Sequence, residues 1–175
     1  YASALVVHAG GDFFSSLIAA IFASGMLGMV KGLLARKVRD DFLAVATLAL
    51  GLLTRQLIVN FDFTGGVNGF SALRALPFLN WYLLAPAMNF YFVFGFVVLA
   101  VLLSVRLASS RTGRVWSASS EDETASLASG VNVPRARMTA FVFSSVLAGL
   151  AGGLYALTFT YVDPELFAFH VSSMT

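Results

Sequence analysis

The carboxylates Glu121, Asp122 and Glu123 form the densest acidic group in the chain, flanked by Arg106, Arg111, Arg114, Arg135 and Arg137. Ser120 stands three residues before Glu123, and Ser119 three before Asp122. That is the spacing of a capping box, in which a hydroxyl and a carboxylate satisfy the free amides of a helix start. On this reading the three carboxylates lie in a first helical turn, where they complement the helix dipole. Gly130 is a natural stop, so the pattern predicts a helix of two to three turns from Glu121 to Gly130. Pro134 suits the first turn of the helix that follows. A short, capped, polar helix is suited to docking a partner, and equally to serving as a solvated connector.

Few other residues offer chemistry. His8 and His170 are far apart and lack ligand spacing, so no metal site is expected. The chain has no Cys, which excludes disulfides, thiol catalysis and cysteine-based metal sites. No G-x-x-x-x-G-K-[ST] phosphate loop is present, so the chain is not expected to bind ATP itself. Thr64, Gly65, Gly66, Asn68 and Gly69 form a glycine-rich turn. Glycine permits close backbone approach to a ligand or another helix. The turn is read either as a pathway or gate element, together with Thr47, or as a purely structural turn, and glycine more often shapes turns than binds. Arg55 stands near the outer end of an apolar run. An Arg at a spanning-helix centre costs about 2.5–3.5 kcal/mol. It can extend outward to the interface, the less costly course, or face other helices and pair, for instance with Asp62. Asp163 and Glu165 flank Pro164 and read as a solvated turn that could also meet a basic protein surface.

The elements that position these residues follow from composition. Hydrophobic residues make up 58% of the 175 and charged ones 11%, with a mean hydropathy of +0.84. That is too little charge to cover a water-soluble globule, for which about 25% is usual. Net charge is only +2, and no nucleic-acid partner is expected from it. Four runs are long enough for a hydrocarbon core about 30 Å thick. They are Phe13 to Ala35, Phe42 to Asn60, Phe90 to Leu107 and Met138 to Val162. In lipid such runs must be helical, because open strands leave backbone groups unpaired. The expected fold is an all-α, polytopic transmembrane helical bundle with a re-entrant or half-helix segment between the second and third spans. Gly65, Gly66, Gly69, Pro77 and Pro86 break that segment, and Trp81 and Tyr82 suit a membrane interface.

Lys31, Arg36, Lys37 and Arg39 lie at the link between spans one and two, and five arginines flank the link between spans three and four. Only Arg55 and Arg74 lie elsewhere. The excess of basic residues places both links on the cytoplasmic face and leaves the glycine-rich segment and Asp163 facing outward. Ser16, Ala20, Ser24, Gly28 and Gly32 form a ridge of small residues with a four-residue step. Ser145, Gly149 and Gly153 form another, beside Ala148, Gly152 and Ala156. Ridges of this kind let helices approach closely in lipid and predict a tight bundle.

The stretch GRVWSASSEDETASLASGVNVPRARMTAFVFSSVLAGLAGGLYA, residues 113–156, resembles the cytoplasmic loop and following span of the permease subunits of branched-chain amino acid ABC importers, the LivM type. Gly113-Arg114, Ala118, Glu121-Asp122-Glu123, Ala125 and Gly130-Val131-Asn132 carry the match, with Ala140-Phe141, Ala148-Gly149 and Ala151-Gly152. Ser120 stands where the family usually has Arg, Ser126 where a second Ala is common, and Arg137 in place of Lys. Thr47-Leu48 and Thr64-Gly65-Gly66 with Asn68-Gly69 are similar to a second family stretch, and Pro164 and Phe167 to a third. The likeness runs from about Met29 to the end, with Phe13 to Gly28 fitting only as a generic span.

The resemblance implies one transmembrane permease domain over residues 1–175, incomplete at both ends, with a cytoplasmic coupling loop at 106–137. It implies a multi-pass protein of the bacterial inner membrane without enzymatic activity of its own. Its partners would be a second permease, two cytoplasmic ATPases that bind the ATP, and a periplasmic or extracellular binding protein. Glu121, Asp122, Glu123, Ala125 and Gly130 would form the ATPase-coupling helix. A permease for urea, short amides or another small polar solute is the alternative within transport. An integral membrane enzyme would need an acid–base pair at one depth, and the spans offer Ser, Thr, Lys31 and Arg55 but no carboxylate or imidazole to pair with them. A passive channel or structural anchor is the third possibility.

Overall fold

The computed structural model describes residues 1–36, 40–61, 69–70, 86–159 and 162. The described chain is built of helices: α1 (Ala2–His8), α2 (Phe13–Ala35), α3 (Asp40–Asn60), α4 (Pro86–Ala108), α5 (Arg111–Glu121), α6 (Glu123–Ala128) and α7 (Val133–Phe159). Four of them are long and apolar enough to cross a membrane: Phe13–Ala35, Phe42–Asn60, Phe90–Ala108 and Val133–Phe159. The expected all-α polytopic bundle is therefore the fold. At about 1.5 Å per residue, even the shortest of these runs approaches the hydrocarbon thickness.

The fourth span begins at Val133 rather than Met138, because its polar first turn is already helical. Asn132 caps it, with its Oδ1 accepting from the Arg135 amide at 3.1 Å, and Pro134 lies in that first turn. The helix ends at Phe159, short of the expected Val162. Val162 instead forms an isolated antiparallel bridge with Phe70, exchanging two amide–carbonyl bonds of 2.9 Å. The expected half-helix between the second and third spans lies outside the described residues, apart from Gly69 and Phe70.

Helix α2 shows why these elements assemble. Its large side chains face outward, as membrane solvation requires, with Phe22 69% exposed and Phe14 61%. Its opposite face is small, with Ser16 at 0% and Ala20, Gly28 and Gly32 also buried. That face meets the small ridge of α7. A Cβ built on Gly28 would stand 2.8 Å from Ser145 Cβ, and one on Gly32 3.0 Å from Met138 Cα. At the other end, Gly153 faces Ala20, and a Cβ on Gly149 would reach Ser24 Cβ at 2.5 Å and collide with its Oγ. Rising numbers on α2 meet falling numbers on α7, so the two helices run antiparallel. The C-terminal end of α2 and the N-terminal end of α7 therefore share one end of the bundle, which carries Arg36, Arg135 and Arg137. The two basic links are at the same end, as their charges imply.

The opposite end holds the apolar cluster of Ala4, Val7, Phe13, Leu17, Leu154 and Leu157, closed by Phe70 and Val162. Helix α1 packs here against α2 and α7. At seven residues it is too short to leave a periodic signal, and the sequence gives no sign of it.

Arg55 departs from the outward course expected of it. Gly51, Thr54, Arg55 and Ile58 share one face of α3 and line a cavity against α2, α7 and the start of α1. The guanidinium Nε is buried there and has no hydrogen-bond partner among the described residues. Helix rotation decides this, because it turns the face with Gly51, Thr54 and Arg55 toward the cavity. The other partner proposed for Arg55, Asp62, lies outside the described residues.

Gly149→Ala is expected to destabilise the bundle by about 1–3 kcal/mol, the usual cost of overpacking. Gly152→Ala, where no atom lies within 4 Å of the new Cβ, is expected to raise stability by up to about 1 kcal/mol, the helix preference of alanine over glycine. Unfolding of the purified protein in mixed detergent micelles checks the pair, and equal effects would contradict the seam.

Candidate functional site

The polar stretch between α4 and α7 folds as two short helices fastened to the first turns of α7. Ser110 caps α5: its Oγ accepts from the Gly113 amide at 3.4 Å and donates to Leu107 O. Gly113 is buried in the turn from α4, where any Cβ would collide with the Ala108 carbonyl. The lone aromatic of this stretch, Trp116, reaches across to α7. Its Nε1–H donates to Thr139 Oγ1 at 3.0 Å, and its ring lies 6.0 Å from Phe143. Thr139 spends its own proton on the Ala136 carbonyl at 2.9 Å, so its oxygen is free to accept from the indole.

Asp122 separates the two helices. Its extended backbone, φ −147° and ψ 106°, ends α5, and its Oδ1 caps α6 by accepting from the Ala125 amide at 2.9 Å. Helix α6 ends in a Schellman turn. Gly130 adopts φ +79°, its amide bonds Leu127 O, and the Val131 amide bonds Ser126 O, each at 3.0 Å. Glu123, in the first turn of α6, pairs with Arg137 of α7 at 2.8 Å. Both side chains are partly exposed, so the pair contributes at most about 1 kcal/mol; its value is positional. Between α5 and α7 lies a groove of about 660 Å³ whose lining includes Ser120, Glu121, Glu123 and Arg137.

The single helix expected from Glu121 to Gly130 is thus corrected. Glu121 is the last residue of α5, not part of a new first turn, and α6 is six residues long. The assumed serine caps are internal to α5. Ser119 Oγ donates to Val115 O at 2.6 Å and Ser120 Oγ to Ser117 O at 2.7 Å. Sequence reasoning missed α5 because its cap, Ser110, lies ten residues upstream of Ser120, outside the window around the acidic triplet. The signal was there in Ser110 before a run with Val115, Trp116 and Ser119 on one side.

Of the other proposed site residues, Thr47 lies on α3 with its hydroxyl turned back to Ala44 O at 2.9 Å, and it is not among the cavity-lining residues. Gly69, φ +60°, leads into the Phe70–Val162 bridge at the opposite end. Thr64, Gly65, Gly66 and Asn68 lie outside the described residues, as do Asp163, Pro164, Glu165, Phe167 and His170.

Residues 1–174 match the family model described as branched-chain amino acid transport system / permease component. The high-affinity branched-chain amino acid transport system permease protein LivM of Salmonella typhimurium is 33% identical, over 99% of this chain and 47% of its own length. The protein of the same name from Escherichia coli is 32% identical over the same shares. The chain therefore spans about half the length of the curated relatives it matches. These matches take in the first 28 residues, where the motifs showed only a generic span. No solved structure matches the chain significantly.

Asp122→Ala is expected to weaken α6 by about 1 kcal/mol, the usual cost of a lost cap, and so to raise exchange of the Ala125 amide about fivefold. Ser120→Ala is expected to leave that amide unchanged. Hydrogen exchange resolved by mass spectrometry tells the two cap assignments apart.

Proposed function

The chain belongs to the branched-chain amino acid transport system permease family, and on that premise we propose that it is a membrane-spanning part of an ATP-driven importer of branched-chain or similar amino acids. The observation that carries this reading is a rigid polar element clamped to the N-terminal turns of a spanning helix. The basic end is then the cytoplasmic face of a bacterial inner membrane. With no phosphate loop in the sequence, ATP hydrolysis falls to two docked ATPase subunits. A second permease completes the pathway, and an external binding protein delivers the solute.

The geometry supports a lever. Leu127, 52% exposed, and the exposed Glu121 and Asp122 offer one apolar and two acidic contacts along α6 and its joint with α5. Force applied there passes to α7 through Glu123–Arg137 and Trp116–Thr139. A floppy loop would absorb such a displacement, whereas a capped and clamped pair of helices transmits it as a rigid body.

Docking and transmission separate experimentally. In the full-length protein, Glu121→Arg combined with Leu127→Arg is expected to reduce recovery of ATPase subunits at least tenfold at unchanged permease level. Trp116→Leu is expected to leave the ATPases bound but lower ATP-driven uptake severalfold. Co-purification with the ATPases, followed by uptake into proteoliposomes, measures both. Intact assembly and uptake in the double variant would defeat the docking reading.

A further inference from the structure

The cavity beside Arg55 has a chemistry that the lever does not use. It measures about 360 Å³ and lies between α2, α3, α7 and the start of α1, at the lower end of the range for small-molecule sites. Two polar atoms packed just behind its wall are orphaned among the described residues. One is Arg55 Nε; the other is the Oγ of Ser3, a residue only 1% exposed. Buried polar groups left without partners are costly in a bilayer and mark functional sites. Lys31 also lines the cavity, and among the described residues no Asp or Glu does, so the described wall is positive and favours an anionic group.

The hydroxyls are arranged for the opposite charge. Thr54 Oγ1 donates to Leu50 O at 2.8 Å, and Ser24 Oγ to Ile21 O at 2.9 Å. With their protons committed to their own helices, both present only lone pairs to the cavity, which suits a cationic N–H donor. The rest of the wall is small and apolar, including Ala20, Ala148, Gly149 and Gly153. Gly51 and Gly152 also line it, and a Cβ at either would meet no atom within 4 Å. Open space therefore begins at their backbones.

We infer that this cavity is an intramembrane binding site for a zwitterionic α-amino acid, with Arg55 as the anchor of its carboxylate. The guanidinium fork takes the carboxylate, the Ser3 hydroxyl turns inward to donate to it, the lone pairs of Thr54 and Ser24 receive the ammonium, and the small-residue wall holds an aliphatic side chain. The inference rests on the importer reading and refines it, because a neutral solute such as urea would leave the guanidinium charge uncompensated.

The test uses the full-length permease with its ATPases in nanodiscs, without the external binding protein, and saturation-transfer NMR with leucine, leucinamide and urea. Leucine is expected to bind the wild type at least tenfold better than leucinamide or urea. Arg55→Gln should abolish that preference, Arg55→Lys should retain part of it, and Ser3→Ala should weaken leucine severalfold. Gly51→Val puts its Cβ where no atom lies within 4 Å, so it should keep the wild-type melting temperature and lose leucine binding, a readout that does not depend on Arg55 variants folding. Equal binding of leucine to the wild type and a folded Arg55→Gln, or unimpaired binding to Gly51→Val, overturns the inference. If the complete importer still takes up leucine in that case, the inference falls alone. If the wild-type importer takes up no amino acid, the importer reading falls, and the inference with it.

Discussion

Burying apolar surface between two helices gains little in hydrocarbon, because lipid tails offer the same surroundings. What holds α2 to α7 is close approach, and close approach requires that side chains be nearly absent along the line of contact. Gly28 against Ser145, Gly149 against Ser24 and Gly153 against Ala20 supply that line. It fixes the antiparallel register of the two helices. From that register follow the common end for the basic residues, the apolar cluster at the other end, and the position of the cavity along the seam.

Helix α7 then serves two places at once. Its first turns hold Arg137 and Thr139, which grip α6 and α5. Two to four turns further on, Ser145, Gly149 and Gly153 touch both α2 and the cavity. A helix is stiff along its axis, so a tilt imposed at the polar end must reappear as a change in spacing along the seam. Packed interfaces of this kind have discrete arrangements and do not deform continuously. The small-residue seam is thus the surface on which a rigid-body rearrangement would slide.

The spans were legible because hydrophobic length is a one-dimensional signal: Phe13–Ala35 and Phe42–Asn60 are found where composition puts them. The packing faces were legible as well, since a four-residue step of small residues has one structural use in lipid. The polar element was legible only in part. Gly130 stops α6 as its backbone freedom suggests, but the choice between Ser120 and Asp122 as cap depends on where the preceding helix begins. A serine already inside a helix bonds back to its own turn, and no local pattern reveals that. Arg55 is the same problem in three dimensions. Whether it extends outward or faces inward depends on the rotation of α3, which α2 and α7 set from a distance. Thr47, weighed as a pathway residue, does not reach the cavity that its neighbour Thr54 lines.

The glycines show why composition alone underdetermines such a site. Gly149 and Gly152 are three residues apart on one helix and look alike in the sequence. One sits where any Cβ would strike Ser24; the other faces open space. Close packing explains the first and leaves the second unexplained, as it does Gly51 on α3. Glycine within a helix is about 1 kcal/mol less favourable than alanine, and neither position has an atom nearby to forbid the methyl group. A cavity left by imperfect packing would be filled at no steric cost by alanine at both. Two helices that forgo that gain on the same cavity, beside a guanidinium Nε and a serine hydroxyl without partners among the described residues, fit a space kept open for a guest.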